Sequence, residues 1–226
     1  TCGYVDWAEN QPEDALRREE MTAEVNAAIA GALAGGATDI VVSDMHMLKQ
    51  NIYHGRLPDQ ASLISGTKRR WMWMDTVQAC DLVFLIGLHA RCGSPCAVLP
   101  HTMNTLITGL QLNGVDAGEA LISAVCAGHF GVPVGMASGD RAFIDEIRSC
   151  LPGLETVVVK EAVGSCAALN FHPEICKSKI TEAAENAARR GIKGEFKPYC
   201  LQEPVVLRLE VTWPGYAEAL SLIPGV

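Results

Sequence analysis

Residues 82–119 read LVFLIGLHARCGSPCAVLPHTMNTLITGLQLNGVDAGE, and the fold turns on how this stretch is parsed. LVFLIGL is an unbroken apolar run of the length a fully buried strand needs. It stops at His89, before a loop that holds Gly93 and Pro95. His89 therefore leaves the sheet at a strand end. In open α/β sheets that edge binds ligands, because loops leaving the carboxyl ends of the strands converge on a crevice there. Twelve residues on stands His101, followed by Thr105–Leu112 and the turn signal Asn113-Gly114. Asp116-Ala-Gly-Glu119 then opens the next helix.

Upstream, Leu16, Met21, Val25, Ile29 and Leu33 space an amphipathic helix over Pro12–Leu33, with Gly35-Gly36 as its stop. Ile40, Val41 and Val42 make Thr38–Ser43 a buried strand that runs out into Asp44-Met45-His46. Two strands thus deliver one histidine each to a terminus, which hints at a shared site. Asn51–Gln60 reads as loop, Ala61–Ser65 as a short strand and Trp71–Cys80 as a helix leading into the Leu82–Leu88 strand.

Downstream, the pattern predicts a helix over Gly118–Phe130, a strand over Val132–Met136, a helix over Arg141–Cys150, a strand over Thr156–Lys160 and a charged helix over His172–Arg190. Such alternation predicts an α/β fold, a central sheet flanked by helices. The segment Pro204–Thr212 alternates as a strand with one wet face. The expected division is a metal-binding α/β domain over residues 1–160 and a smaller C-terminal lobe over 161–226.

The 226 residues are 49% hydrophobic and 19% charged, which is a globular composition. A net charge of −8 argues against nucleic acid as a partner, since phosphate backbones need clustered Lys and Arg, and Lys68-Arg69-Arg70 is too short a cluster. No apolar run is long enough for a membrane span and no signal-peptide pattern opens the chain, so a cytoplasmic location is expected. Nine cysteines, several of them within apolar helical patterns, read as free thiols in a reducing compartment. Cys92 and Cys96 form the one close pair, but the spacing is not that of a thioredoxin-like site.

Simpler readings stand beside the functional ones. Asp116 and Glu119 have capping-box spacing, in which Glu119 only satisfies a backbone donor. His46 and His89 can be satisfied strand-end histidines, and His54, His129 and His172 read as structural. As a set, however, neutral imidazoles with a carboxylate suit zinc-like ions.

The chain resembles the D-aminopeptidases of the DppA type, which are zinc-dependent peptidases. The residues that carry the resemblance are Val41-Val-Ser-Asp-Met-His46, Leu63-Ile-Ser-Gly66, Gly87-Leu-His-Ala-Arg91, Pro100-His-Thr102, Asn113-Gly114 with Gly118-Glu119, and Val159-Lys160. By that resemblance His46, His89 and Glu119 are zinc ligands and His101 is the catalytic residue. The resemblance further implies two zinc ions per subunit, a short peptide substrate and a homodecameric ring with its sites facing an inner chamber. Family members begin with a strand carrying Asp-x-Glu-Gly, whose carboxylates help to hold the metals. This chain starts at Thr1-Cys2-Gly3, just past the place of that strand, so two ligands that the resemblance implies are absent from this sequence, and Leu222–Val226 resembles a stretch that continues in family members. Ser165 stands where the family pattern carries an arginine. Paired zinc ions about 3.5–4 Å apart polarise a scissile carbonyl and generate hydroxide near neutral pH. A metal-dependent amidohydrolase on a non-peptide substrate, or an inactive assembly or binding subunit, are the alternative readings.

Overall fold

A computed structural model describes residues 14–223. The expected helix start at Pro12, and Cys2, lie outside them. The main sheet has the order β3-β6-β7-β8, built from β3 (Val83–Leu88), β6 (Val134–Asp140), β7 (Glu155–Gly164) and β8 (Ala167–Asn170). β3, β6 and β7 run parallel, and β8 returns antiparallel to β7. All seven residues of β6 are buried, as expected of a central parallel strand covered on both faces.

One face is covered by α2 (Glu119–His129) and α3 (Arg141–Cys150), where Phe143, Ile144 and Ile147 meet Leu85, Leu88 and Ala137. The other face carries α4 (Pro173–Ile192), whose Ile180, Ala184 and Ala187 pack on Met136, Val157 and Val159. α1 (Asp14–Ala34) lies against α4 along a seam of small residues. A Cβ added to Gly31 would stand 2.1 Å from the Thr181 carbonyl oxygen. Among the described residues no helix is long and apolar enough to cross a membrane.

β1 (Ile40–Ser43) and β2 (Ala61–Ile64) form a second, parallel pair. No ladder joins β1 to β3 among the described residues. Both strands instead line a cavity of about 1830 Å³, whose wall also includes Val25 and Ile29 of α1. Its lining also includes His46 and His89, which follow the carboxyl ends of β1 and β3.

The third sheet, β5-β4-β9, is antiparallel and is made by β4 (Ile107–Leu112), β5 (Val115–Asp116) and β9 (Leu207–Val211). Asn113 and Gly114 turn β4 into β5 with φ of 49° and 80°, the left-handed pair that the Asn-Gly signal supplies. The C-terminal segment thus pairs with a strand from mid-chain, and α5 (Pro214–Leu220) follows it. The expected boundary at residues 160–161 falls inside β7, and β8 and α4, which lie beyond it, complete the main sheet and its cover. Leu207 and Leu209 are both exposed, so β9 shows more apolar surface than the expected one-sided strand.

The α/β class and the sheet-with-helices arrangement match the sequence reading, and one helix does not. Trp71–Cys80 forms turns and a short 3₁₀ segment at Val77–Ala79 in place of the expected helix. Met72 and Thr76 are left-handed, with φ of 62° and 68°, which breaks an α-helical ladder. Trp73 is held from both sides: its indole N–H donates to Ser123 Oγ at 2.7 Å, and its carbonyl accepts from Ser43 Oγ at 2.6 Å. Met74 and Val77 are buried while Trp71 is exposed, so the helical spacing of these three residues marks neither a helix nor a common buried face. β6 also runs four residues past Met136, because Ala137-Ser-Gly-Asp140, which looks like a turn, is buried between β3 and β7.

Candidate active site

The carboxyl ends of four strands meet at the cavity, and side chains with chemistry stand on each. His46 follows β1, His89 follows β3, Asp140 ends β6 and Lys160 lies where β7 leaves its pairing with β6. Asp44 shapes the loop that carries His46. Its carboxylate accepts the backbone N–H groups of His46 (3.3 Å), Asn51 and Ile52 (3.0 Å) and the Asn51 amide (3.0 Å).

His89, His101 and Glu119 are brought together. Their possible ligand atoms all lie within 4.8 Å of one another. The two imidazoles stack with centroids 3.9 Å apart and planes inclined by 18°. His89 Nε2 lies 3.6 Å from Glu119 Oε2. Each ring turns Nδ1 to a backbone carbonyl, His89 to Ala90 at 3.0 Å and His101 to Leu99 at 2.7 Å. In the neutral rings, with Nδ1–H donating, each Nε2 is an acceptor, the arrangement that metal-binding histidines use to fix tautomer and ring orientation; protonated, His89 Nε2 instead faces Glu119 as a donor. The donor set, two such nitrogens and a carboxylate, fits a divalent ion that takes nitrogen and oxygen ligands. His46 is exposed and lines the same cavity but stands outside this trio.

Glu119 is not a capping residue. Gly118 occupies the N-cap of α2, and Asp116, inside β5, instead pairs with Arg91 at 2.8 Å and accepts from the Gln111 amide at 2.9 Å. One Glu119 oxygen accepts the Met103 N–H at 2.7 Å and the other faces His89. Three further contacts fasten the loops that carry the trio. Glu146 on α3 accepts from Arg91 N–H (3.1 Å) and Ser94 Oγ (3.0 Å), and Cys92 N–H donates to Thr102 Oγ1 (3.1 Å). Gly118 lets these segments close, since a Cβ there would sit 2.9 Å from Arg91 Cβ.

The D-aminopeptidase family, peptidase M55, matches residues 1–226. The chain belongs to this family. The D-aminopeptidase of Bacillus subtilis (strain 168) is 31% identical over 209 residues, which cover 91% of this chain and 74% of that protein. A solved structure described as the Zn-dependent D-aminopeptidase DppA from Bacillus subtilis, a self-compartmentalizing protease, superposes with a TM-score of 0.89 at 26% identity. The match covers 99% of this chain and 82% of that one.

In this D-aminopeptidase family member the electrostatics of the trio are coupled. Desolvation works against the charged form of His89, but the hydrogen bond and the charge of Glu119, together with the Ala90 carbonyl, outweigh it and raise its pKa. Glu119 is also desolvated, and the same contact with His89 and the Met103 N–H hold its pKa below the usual value. Desolvation lowers the pKa of His101, and the neighbouring His89 adds to that. Desolvation likewise lowers His46, with Asp44 opposing.

The other histidines are elsewhere: His172 caps α4 by accepting the Glu174 N–H at 3.3 Å, His129 packs edge-on to Phe130, and His54 lies in a 3₁₀ turn. Eight cysteines, Cys92 and Cys96 among them, are free thiols. Sequence reasoning missed Asp140 and Glu146. The one sequence signal for Asp140 was its place at the end of an apolar stretch, and Glu146 looks like an ordinary charge on an amphipathic helix.

Proposed function

We propose that the chain is a zinc-dependent aminopeptidase that releases N-terminal D-amino acids from short peptides. The observation that carries this reading is the convergence of His89, His101 and Glu119 within 4.8 Å, in a chain of the D-aminopeptidase family. His46, His89 and Glu119 hold the metal, taken as two zinc ions per chain, and His101 is the catalytic residue. Bound there, zinc supplies Lewis acidity and lowers the pKa of water.

The chain's own residues do the rest. The Leu99 carbonyl fixes the His101 ring, so that its Nε2 is presented to the reacting group and can accept or return a proton. Its lowered pKa keeps that nitrogen unprotonated near neutral pH. The Met103 N–H and His89 hold Glu119 ionised and oriented. Free thiols at all eight described cysteines suit work in a reducing compartment such as the cytoplasm. We take the chain to assemble into a ring of ten copies, a reading supported as far as oligomer formation by the relative described as self-compartmentalizing.

The test pairs metal content with hydrolysis. After exhaustive dialysis the native protein is expected to keep about two zinc ions per chain and to cleave D-aminoacyl peptides. His101→Ala is expected to keep its zinc and to lose about 10²–10⁴-fold in kcat. Because His101 stands inside the compact trio while His46 does not, a second reading makes His101 a ligand. Loss of zinc from His101→Ala, with retention in His46→Ala, establishes that reading instead. A native protein that binds no metal and cleaves no D-peptide overturns both.

A further inference from the structure

Three methionines at the site have no task in the core or in the chemistry above. Met47, Met72 and Met103 are exposed by 45%, 37% and 44%, and all three line the cavity. The other methionines, Met21, Met45, Met74 and Met136, are each at least partly buried in a hydrophobic cluster, and these three join none among the described residues. Their backbones are unusual as well. Each is left-handed, with φ of 47° at Met47 and 62° at Met72 and Met103, a conformation unfavourable for a long side chain. Strained backbone of this kind gathers where a fold holds side chains out toward a ligand.

The loops that carry the three methionines are tied to the site. Met47 follows His46 directly, in a turn closed by the Lys49 N–H on the His46 carbonyl at 2.7 Å. The Gly66 N–H donates to the Lys49 carbonyl at 2.7 Å, and Arg69 donates to Ser43 Oγ and the Asp44 carbonyl at 2.9 Å each. Met72 therefore lies in a segment bound to the same strand end, and the Trp73 carbonyl beside it accepts from Ser43 Oγ. Met103 gives its own N–H to Glu119. Apolar side chains left in water gain free energy when another apolar group covers them.

Resting on the peptidase reading, we propose that Met47, Met72 and Met103 form an apolar subsite for the side chain of the N-terminal D-residue, so that the preferred peptides carry a large apolar side chain there. That residue bears the scissile carbonyl. Its Cβ is two bonds from the reacting carbon, about 2.5 Å, nearer than the Cβ of the residue that follows. The unbranched thioethers adapt to many outlines, so the subsite selects for apolar character rather than for one shape.

The experiment compares D-Leu-Gly with D-Asn-Gly on the zinc-loaded protein, since leucine and asparagine have nearly the same outline and differ in polarity. Wild type is expected to favour the leucine peptide about tenfold or more in kcat/KM, through KM. Met47→Asn, Met72→Asn and Met103→Asn, a residue that tolerates the left-handed backbone, are each expected to lower that ratio, and the triple variant to bring it to about one. The matching leucine variants are expected to keep it. A wild type that does not distinguish the two peptides overturns the proposal, and this needs no variant to fold. So does a triple asparagine variant that loses both peptides equally, which marks loops that only hold the site. A triple variant that keeps the wild-type ratio but sediments more slowly makes the patch a contact between copies and also overturns it. Calorimetry with the same dipeptides, their scissile carbonyl reduced to methylene, reads the contact apart from hydrolysis. If neither peptide is cleaved but the leucine analogue binds about tenfold tighter, the peptidase reading fails and the apolar subsite stands. If the two analogues bind alike, the subsite fails whatever the hydrolysis shows.

Discussion

Glu146 holds its carboxylate between the Arg91 N–H and the Ser94 hydroxyl, yet burial still raises its pKa above the ordinary value. An acid whose folded pKa is raised binds its proton more tightly folded than unfolded. Its contribution to stability is therefore greatest at low pH and falls as pH rises from the unfolded pKa through the folded one. Glu146→Gln cannot titrate, so the wild type is expected to lose ground against it between about pH 4 and neutrality. Urea denaturation of both proteins across that range checks this, and a pH-independent difference counts against it. The variant also separates side chains that sequence can reveal from those it cannot. His89 was legible because the apolar run ends on it, and Glu119 because it opens a helix. Glu146 was not, since its meaning depends on a loop 55 residues earlier in the chain. The relation of Glu119 to its helix was half legible: the position was clear, but only the fold turns its carboxylate away from the backbone and toward His89.

The helices and central strands were legible because burial gives each a period: α1 through its leucine, methionine, valine and isoleucine spacing, β3 through an unbroken apolar run. Where period and backbone part company, at Trp71–Cys80, the reading fails, because left-handed residues are not announced by hydrophobic spacing. Strand partnership is the other gap. Nothing local to residues 207–211 says that they pair with residues 107–112, since the choice of partner is a property of the packed molecule. The seam of α1 on α4 offers a test at this scale. Gly31→Ala places a methyl group on the Thr181 carbonyl and the Ala184 side chain, with no flexible neighbour to give way. It is expected to destabilise the fold by about 1–3 kcal/mol or more, although alanine favours a helix over glycine by about 1 kcal/mol. Chemical denaturation that shows Gly31→Ala to be more stable than wild type refutes the close approach.

At the scale of the whole molecule, Val205, Val206, Leu207 and Trp213 leave an apolar surface around β9, each more than half exposed. Surface of this kind marks contact with other molecules, in keeping with the proposed assembly. Sedimentation of the native protein is expected to give ten copies, and a monomer at all concentrations removes the ring while leaving family membership intact. The pairing of β4 with β9 has one more consequence, and it concerns time. β4 follows directly from the loop that carries His101, and Leu106 beside it accepts the Thr212 N–H at 2.9 Å. As the chain emerges from the ribosome, β4 can close its hairpin with β5 at once, but its outer edge must wait about a hundred residues for β9. The His101 loop is thus braced last, and the nascent protein holds most of its sheet before it holds a finished site.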